Sequence, residues 1–169
     1  TGHAGTLDPL ATGVLILCTG KKTKEIETLQ AHSKEYTATL QLGATTPSYD
    51  LEHEVNATYP TDHITRELVD EVLQQFVGVD FINVLSFDPE TMLLQIHVGC
   101  GKGTYIRSLA RDIGRALNSG AYLTQLCRTR VGDVSIDDCI KLDDIEQWLD
   151  NQNIEKTDKE SKNNEVITV

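Results

Sequence analysis

Apolar and polar residues alternate regularly along residues 34–43. Tyr36, Ala38, Leu40 and Leu42 fall on one face, and polar residues stand between them. A period of two is the period of side chains in a β-strand. The stretch therefore predicts a strand whose Tyr36 face points into the protein. On this pattern alone, Tyr36 is most simply a core tyrosine whose hydroxyl needs a partner.

Several other stretches have patterns typical of regular structure. Short apolar or alternating runs bounded by turn residues predict strands over residues 13–18, 81–87, 92–98 and 120–132. Apolar residues at helical spacing predict helices over residues 21–33, 66–76 and 142–149. Thr65 stands where a capping residue of the second helix belongs. Asp88 and Pro89 fall in the turn between two of the strands, which predicts a hairpin.

The predicted strand at 13–18 is preceded by a loop that is rich in glycine and carries one carboxylate. Gly2, Gly5 and Gly13 allow unusual backbone angles, and Pro9 fixes the backbone directly after Asp8. The loop is therefore expected to hold Asp8 rigidly at the mouth of a core strand. Taken alone, an Asp-Pro pair more often caps a turn than performs chemistry.

A second glycine-rich loop, Gly99 to Gly103, follows the predicted strand at 92–98. It suggests a nucleotide-phosphate loop, but that motif needs a glycine five residues before Gly101 and a Ser or Thr after Lys102. The chain has Ile96 and Gly103 at those positions, which excludes a Walker A loop.

The opening loop as a whole resembles a known catalytic motif. Residues 2–15 match Gly-His-x-Gly-x-Leu-Asp-Pro-x-Ala-x-Gly-x-Leu of the TruB-type tRNA pseudouridine synthases, in its bacterial form. The resemblance implies that Asp8 is the catalytic aspartate and that His3 lines the entry for RNA. It implies that the substrate is a uridine in the T-loop of tRNA.

Three further stretches extend the resemblance, beginning at Lys34-Glu35-Tyr36, at Lys102-Gly103-Thr104-Tyr105 and at Leu126-Cys127-Arg128. They imply that Tyr36 stacks on the target uracil and offers a hydroxyl for proton transfer, and that Arg107 is the partner of Asp8. Together with the opening motif, they also imply a group of substrate-binding residues, which are His3, Tyr105, Leu126, Lys102 and Arg128.

The resemblance also carries an expected fold and domain plan. It implies the α+β pseudouridine-synthase fold, a mixed, mostly antiparallel sheet flanked by helices with the active-site cleft across the sheet. The catalytic domain is expected at 1–150, followed by a polar, disordered tail at 151–169 with no PUA-like domain. Relatives have a segment after the helix that ends near Gly78, and a stretch before the opening motif, and both are expected to be missing here.

The distribution of charge fits an RNA-binding protein better than the net charge of −11 does. Residues 133–169 hold 11 acids and 4 bases, whereas residues 100–132 hold six Lys and Arg against Asp112 alone, a local charge of +5. Phosphate groups respond to such local patches more than to net charge. Any one of these arginines, such as Arg111 or Arg115, is equally well explained as part of a solvated helix face.

Composition narrows the classes of site and location. No apolar run approaches the length of a membrane span, and no leader for export is visible. The four cysteines form no C-x-x-C pair, which argues against zinc and disulfides and favours a reducing, cytoplasmic setting. We expect no metal, no cofactor, no membrane contact and no required protein partner, and a monomer acting on tRNA.

The chemistry expected from the resemblance is the isomerisation of uridine to pseudouridine with base flipping, which needs a carboxylate nucleophile and no metal. Two alternatives stay open at this point. One is a catalytically silent RNA-binding or RNA-folding module, and the other is a guide-RNA-dependent pseudouridine synthase that needs partner proteins. The bacterial style of residues 10–15 counts against the guided class.

Overall fold

The structure, a computed structural model, describes residues 1–158 and 166–168. The described residues form eleven β-strands, which are β1 Gly2–His3, β2 Ala11–Gly13, β3 Ile16–Cys18, β4 Lys34–Leu42, β5 Ala44–Thr45, β6 Ala57–Thr58, β7 Phe81–Asp88, β8 Leu93–Cys100, β9 Ala121–Val131, β10 Val134–Ser135 and β11 Val166–Thr168. The four α-helices are α1 Ile26–Ala31, α2 Arg66–Gln74, α3 Ile106–Ala116 and α4 Ile145–Asp158.

The largest sheet has six strands and is mostly antiparallel. Its order is β10-β9-β4-β8-β7, and β2 joins β9 as a parallel neighbour. The predicted strand at 34–43 is confirmed as β4, and the predicted hairpin is confirmed as β7 and β8. Strand β9 therefore lies between β4, which carries Tyr36, and β2, which ends the Asp8 loop.

Helices α2 and α3 pack on one face of this sheet and close the main core. Buried β4 side chains Ala38, Leu40 and Leu42 meet Ile113 of α3 and Val69 of α2. Thr65 caps α2 as predicted, because its side-chain oxygen accepts from the backbone N–H of Leu68. The expected α+β fold with a mostly antiparallel sheet flanked by helices is confirmed.

The prediction of one continuous strand at 13–18 is wrong. The chain instead makes two short strands, β2 in the large sheet and β3 in a small sheet with β1 and β11. Gly13 has a φ of 105° and breaks the extended run, so the chain crosses from one sheet to the other at Val14. Val14 is fully buried, with Ile16 and Cys18, in a second core cluster.

One other expectation differs from the structure. The predicted helix at 21–33 is a 3₁₀ turn over Gly20–Glu25 followed by the short α1. The polar, disordered tail expected at 151–169 stays a prediction; in the structure α4 continues to Asp158, and Val166–Thr168 pair with β3. The remaining tail positions, 159–165 and 169, lie outside the described residues.

Over the described part of the chain, no helix has the length and apolar character needed to cross a bilayer.

Substitution of Gly13 tests the crossing point between the two sheets. A β-carbon at Gly13 would lie 2.1 Å from the carbonyl oxygen of Arg128, at a φ that L-residues rarely adopt. Gly78 has a similar φ of 87° but no atom within 4 Å of the added carbon. We expect Gly13→Ala to lower the free energy of unfolding by about 1–3 kcal/mol more than Gly78→Ala does, because overpacking adds to backbone strain. Urea unfolding of both variants measures the difference, and equal losses would contradict the close approach.

Candidate active site

The carboxylate of Asp8 meets the guanidinium of Arg107 at the N-terminal turn of α3. Arg107 Nε lies 3.2 Å from Asp8 Oδ2, and Nη2 lies 3.5 Å from Oδ1. The predicted contact between these two residues is confirmed. Both side chains are about one-third exposed, at 30% and 32%. Ion pairs with that much solvent contact contribute only about 1 kcal/mol or less to stability, so the pair matters mainly for the position of Asp8.

A second carboxylate, Asp50, holds the other side of the same guanidinium. Arg107 Nη1 donates to Asp50 Oδ2 at 3.5 Å, and Asp50 is completely buried. Its other oxygen, Oδ1, accepts from the Ser48 hydroxyl and from the backbone N–H of Glu52. The Thr46 hydroxyl bonds both the N–H and the carbonyl oxygen of Asp50. Asp50 is thereby fixed from several directions, and it orients Arg107 toward Asp8.

A cavity of about 380 Å³ opens beside Asp8. It is lined by the opening loop (residues 5–8), by the loop before α3 (101–106), and by Ala11, Gln30, Lys34, Tyr36, Leu126 and Arg128. The structure thus brings together Asp8, Tyr36, Lys102, Tyr105, Leu126 and Arg128, six of the eight site residues predicted from the sequence. Arg107 joins them through its contact with Asp8.

His3 is the predicted site residue that does not reach this cavity. It lies exposed on β1 and is absent from the cavity lining, although β1 pairs with β3 directly beyond the loop. The loop passes from His3 into the cavity wall at Gly5. His3 therefore stands on the surface beside the site, and a role for it at the RNA entry stays a prediction.

Tyr36 and Leu126 both line the cavity and come from the adjacent strands β4 and β9. Tyr36 pairs with Arg128, and Ala38 pairs with Leu126, in the β4–β9 register. Burial raises the pKa of the Tyr36 hydroxyl above its ordinary value, and the nearby Arg128 cation opposes that rise. The hydroxyl is therefore protonated at neutral pH and available as a hydrogen-bond donor.

Lys34 is a cavity residue whose burial the sequence did not reveal. Its side chain is 9% exposed, and its Nζ donates to the carbonyl oxygens of Gln30 and His32 at the end of α1. Burial lowers the pKa of Lys34, and the cations Arg128 and Lys102 act in the same direction. Together with the exposed Lys102, these side chains give the cavity a surplus of positive charge.

The contact of Asp50 with Arg107 was not predicted from the sequence. In the sequence Asp50 ends the polar run Thr45-Thr46-Pro47-Ser48-Tyr49-Asp50, which by itself indicates only a turn. Tyr49 has a φ of 59°, uncommon for a non-glycine residue, and this turn places Asp50 inside the protein. A buried carboxylate needs a cation or several donors, and only the three-dimensional contact identifies Arg107 as that cation.

Comparison with known proteins decides the family. Residues 1–83 match the family described as TruB family pseudouridylate synthase (N terminal domain), and residues 107–167 match tRNA pseudouridylate synthase B C-terminal domain. A protein called tRNA pseudouridine synthase B from Phocaeicola vulgatus is 53% identical over 92% of this chain and 81% of its own length. The chain belongs to the TruB family of pseudouridylate synthases.

Other TruB relatives and solved structures agree with this assignment. The tRNA pseudouridine synthase B of Flavobacterium johnsoniae is 44% identical over 88% of this chain and 80% of its own length. A solved H/ACA RNP bound to a substrate RNA containing 2′-deoxyuridine contains a chain that is 30% identical, with a TM-score of 0.73. That likeness covers 91% of the TruB chain described here but only 46% of the solved one.

The alignment with the Phocaeicola vulgatus relative contains a large gap in this TruB chain. It spans 193 positions, but 92% of 169 residues is about 155, which leaves about 38 positions of the relative without a counterpart. A segment missing after Gly78 would produce such a count, and its location there stays a prediction. In the structure α2 is joined to β7 by only the residues 75–80.

The site's polar groups are organised for acid–base and nucleophilic chemistry. Within residues 1–158 and 166–168, no group of three or more His, Cys, Asp or Glu side chains is arranged to hold a metal ion. Asp8 contacts the Arg107 guanidinium and shares the cavity with Tyr36, Lys102 and Arg128. This arrangement suits a carboxylate nucleophile with a fixed counter-ion.

Substitution of Asp50 tests whether Arg107 depends on its buried partner. In Asp50→Asn, Oδ1 can still accept from Ser48 and Glu52, but an amide N–H₂ then faces Arg107 in place of Oδ2. We expect the free energy of unfolding to fall by about 1–3 kcal/mol, because a buried charged hydrogen bond is lost.

The matched control is Asp112→Asn, which removes a surface carboxylate that pairs with Arg111 on the same helix at 2.9 Å. A change of about 0.5 kcal/mol or less is expected for it. Urea unfolding of the two variants makes the comparison. Equal effects would mean that the Asp50 contact is no more important than a surface ion pair.

Proposed function

We propose that this TruB-family chain converts a uridine in the T-loop of tRNA to pseudouridine, with Asp8 as nucleophile. The observation that carries the proposal is the Asp8–Arg107 ion pair at 3.2 Å, placed at the edge of a cavity that Tyr36 and Leu126 also line. The names of the relatives, tRNA pseudouridine synthase B at up to 53% identity, support tRNA as the substrate.

The reaction is an isomerisation in which one bond replaces another. The bond between uracil N1 and ribose C1′ breaks, a bond between C5 and C1′ forms, C5 loses its proton, and N1 gains one. The Arg107 guanidinium holds and orients the Asp8 carboxylate that carries out the attack. Because Asp50 fixes the far side of Arg107, the carboxylate stays oriented while the detached uracil turns.

The target base must leave the RNA stack to reach Asp8. The cavity volume of about 380 Å³ falls within the range typical of small-ligand sites, about 300–1,000 Å³. Tyr36 offers an aromatic face and Leu126 an aliphatic one, a pair suited to holding a flipped base on both sides. We assign proton donation during the rearrangement to the Tyr36 hydroxyl, which is protonated at neutral pH because burial raises its pKa.

The positive charges around the cavity suit the phosphates that accompany a flipped nucleotide. Lys102 is exposed at the rim, and Tyr105 beside it is 69% exposed. An exposed lysine at the rim can reach an RNA phosphate, and the tyrosine ring can stack on a neighbouring base. We therefore assign RNA contact to Lys102 and Tyr105.

Substitution of Asp8 tests the proposed nucleophile. We expect Asp8→Asn to bind tRNA normally but to lose about a thousandfold or more in rate, about 4 kcal/mol of barrier, because an amide cannot attack. The assay follows tritium released from C5 of uridine in unmodified tRNA, with the T-loop uridine replaced by cytidine as the substrate control. The matched protein control is Asp133→Asn, which alters an exposed turn carboxylate outside the cavity.

The same assay separates the proposed function from the two alternatives. Near-normal turnover by Asp8→Asn would remove Asp8 as nucleophile. No product from the unsubstituted protein, despite tRNA binding, would favour a silent RNA-binding module. Product that forms only when a guide RNA and partner proteins are added would favour the guide-dependent class.

Substitution of Tyr36 separates stacking from proton transfer. We expect Tyr36→Phe to keep tRNA affinity, because the ring remains, and to slow single-turnover product formation about a hundredfold or more, because the hydroxyl is lost. Because the Tyr36 pKa is raised by burial, we also expect no loss of rate from its ionisation below about pH 10. Tyr122→Phe, on β9 outside the cavity, is the control. Weakened tRNA binding with an unaltered single-turnover rate would contradict the proton-transfer role.

A further inference from the structure

Arg128 is a buried cation without a carboxylate partner among the described residues. It is 2% exposed, and its guanidinium donates to three backbone carbonyl oxygens. Nε donates to Val14 at 2.8 Å, Nη2 to Gly5 at 3.1 Å and Nη1 to Thr6 at 3.3 Å. Burying a cation costs free energy unless its hydrogen-bond donors are satisfied. The three bonds are therefore needed for Arg128 to be buried.

The three acceptors flank Asp8 on both sides in the sequence. Gly5 and Thr6 precede it, and Val14 follows it, so one guanidinium joins the two stems of the loop that carries the carboxylate. The backbone of Arg128 adds to this connection, because its carbonyl oxygen accepts from the N–H of Val14 at 2.8 Å. Within the loop, the N–H of Ala11 donates to the Asp8 carbonyl oxygen at 2.8 Å. The position of Asp8 therefore depends on β9 through this side chain as well as through the backbone pairing of β2 with β9.

The same guanidinium lies beside the Tyr36 hydroxyl. Tyr36 and Arg128 are opposite one another in the β4–β9 register, and the two side chains form a hydrogen bond that partly offsets the effect of burial on the Tyr36 pKa. Arg128 thus contacts the loop of Asp8 on one side and Tyr36 on the other.

A role for Arg128 in binding an RNA phosphate fits these contacts poorly. A phosphate ligand needs donors that face solvent, whereas the guanidinium of Arg128 bonds three backbone carbonyl oxygens and the Tyr36 hydroxyl, and only 2% of the residue is exposed. Lys102 at the rim has the exposure that Arg128 lacks.

We propose that Arg128 is a positioning residue that sets the distance between Asp8 and Tyr36 by joining the Asp8 loop to strand β9, and that it does not bind RNA phosphate. The proposal rests on the proposed function for its catalytic consequence, but its structural part stands apart from activity. A loosened loop displaces the nucleophile, and a displacement of about 1 Å can slow an enzymatic reaction about a hundredfold.

The test compares Arg128→Lys with Arg130→Lys on the same strand. A lysine at 128 keeps the positive charge but cannot reach three carbonyl oxygens, whereas Arg130 lies on the opposite face, 43% exposed, with Glu35 3.7 Å away. We expect Arg128→Lys to slow single-turnover pseudouridine formation about a hundredfold with tRNA affinity unchanged within about twofold, and Arg130→Lys to change the rate by less than about threefold. Guanidinium ion added to Arg128→Ala is expected to restore part of the rate.

Hydrogen exchange supplies a measurement that does not require activity. In Arg128→Lys the amides of Ala11 and Val14 are expected to exchange at least about tenfold faster, because their loop is released, while amides of β4 keep their protection. Faster exchange throughout β4 would indicate general unfolding and would overturn the specific link. Unchanged exchange at Ala11 and Val14 would overturn it as well.

Binding measured against salt completes the test. A phosphate contact by Arg128 would make Arg128→Gln bind tRNA more weakly and reduce the slope of log Kd against log salt by about 0.7–0.9. That result would overturn the proposal. We expect an unchanged slope, and a reduced one for Lys102→Gln. If the unsubstituted protein makes no pseudouridine, the proposed function fails, while hydrogen exchange and the salt slope still decide the role of Arg128.

Discussion

The arrangement of the site depends on the close approach of two backbones, at Gly13 and Arg128. The parallel pairing of β2 with β9 brings them so near that any side chain at position 13 would overlap the Arg128 carbonyl group. This contact joins the loop of Asp8 to the large sheet, and from there the β4–β9 register fixes Tyr36 and Leu126 relative to that loop. The remaining site residue, Arg107, projects from the first turn of helix α3.

Electrostatics explains why so acidic a chain can hold a cationic cavity. Each carboxylate near the cavity is committed to a cation, since Asp8 and Asp50 share Arg107. Lys34 and Arg128 satisfy their donors with backbone carbonyl oxygens, which carry partial and not full negative charge. Their positive charges are therefore not neutralised locally. An RNA strand approaching the cavity meets this field even though the net charge of the protein is −11.

The sequence predicted the regular elements well where periodicity was the only information needed. Strand β4 and helix α2 were found from spacing and capping, and most of the site was found from the resemblance of whole motifs. The division of residues 13–18 into two strands was missed, because an apolar run does not say which sheet each residue joins. Asp50 and Lys34 were missed for a related reason. Burial of a charged side chain depends on partners distant in the chain, and no local pattern encodes them.

The irregular pairing of β9 has a consequence for how this region can vary. Thr129 has no opposite residue on β4, since Tyr36 pairs with Arg128 and Glu35 with Arg130. In a regular strand, two arginines two positions apart would share a face, but this bulge sends one into the cavity and the other to the outer surface. Deletion of Thr129 would leave the two arginines on opposite faces, because they would then be consecutive in a regular strand, whereas straightening the bulge without a change of length would put both on one face. The bulge itself, more than the identity of Thr129, therefore gives one arginine the cavity and the other the solvent.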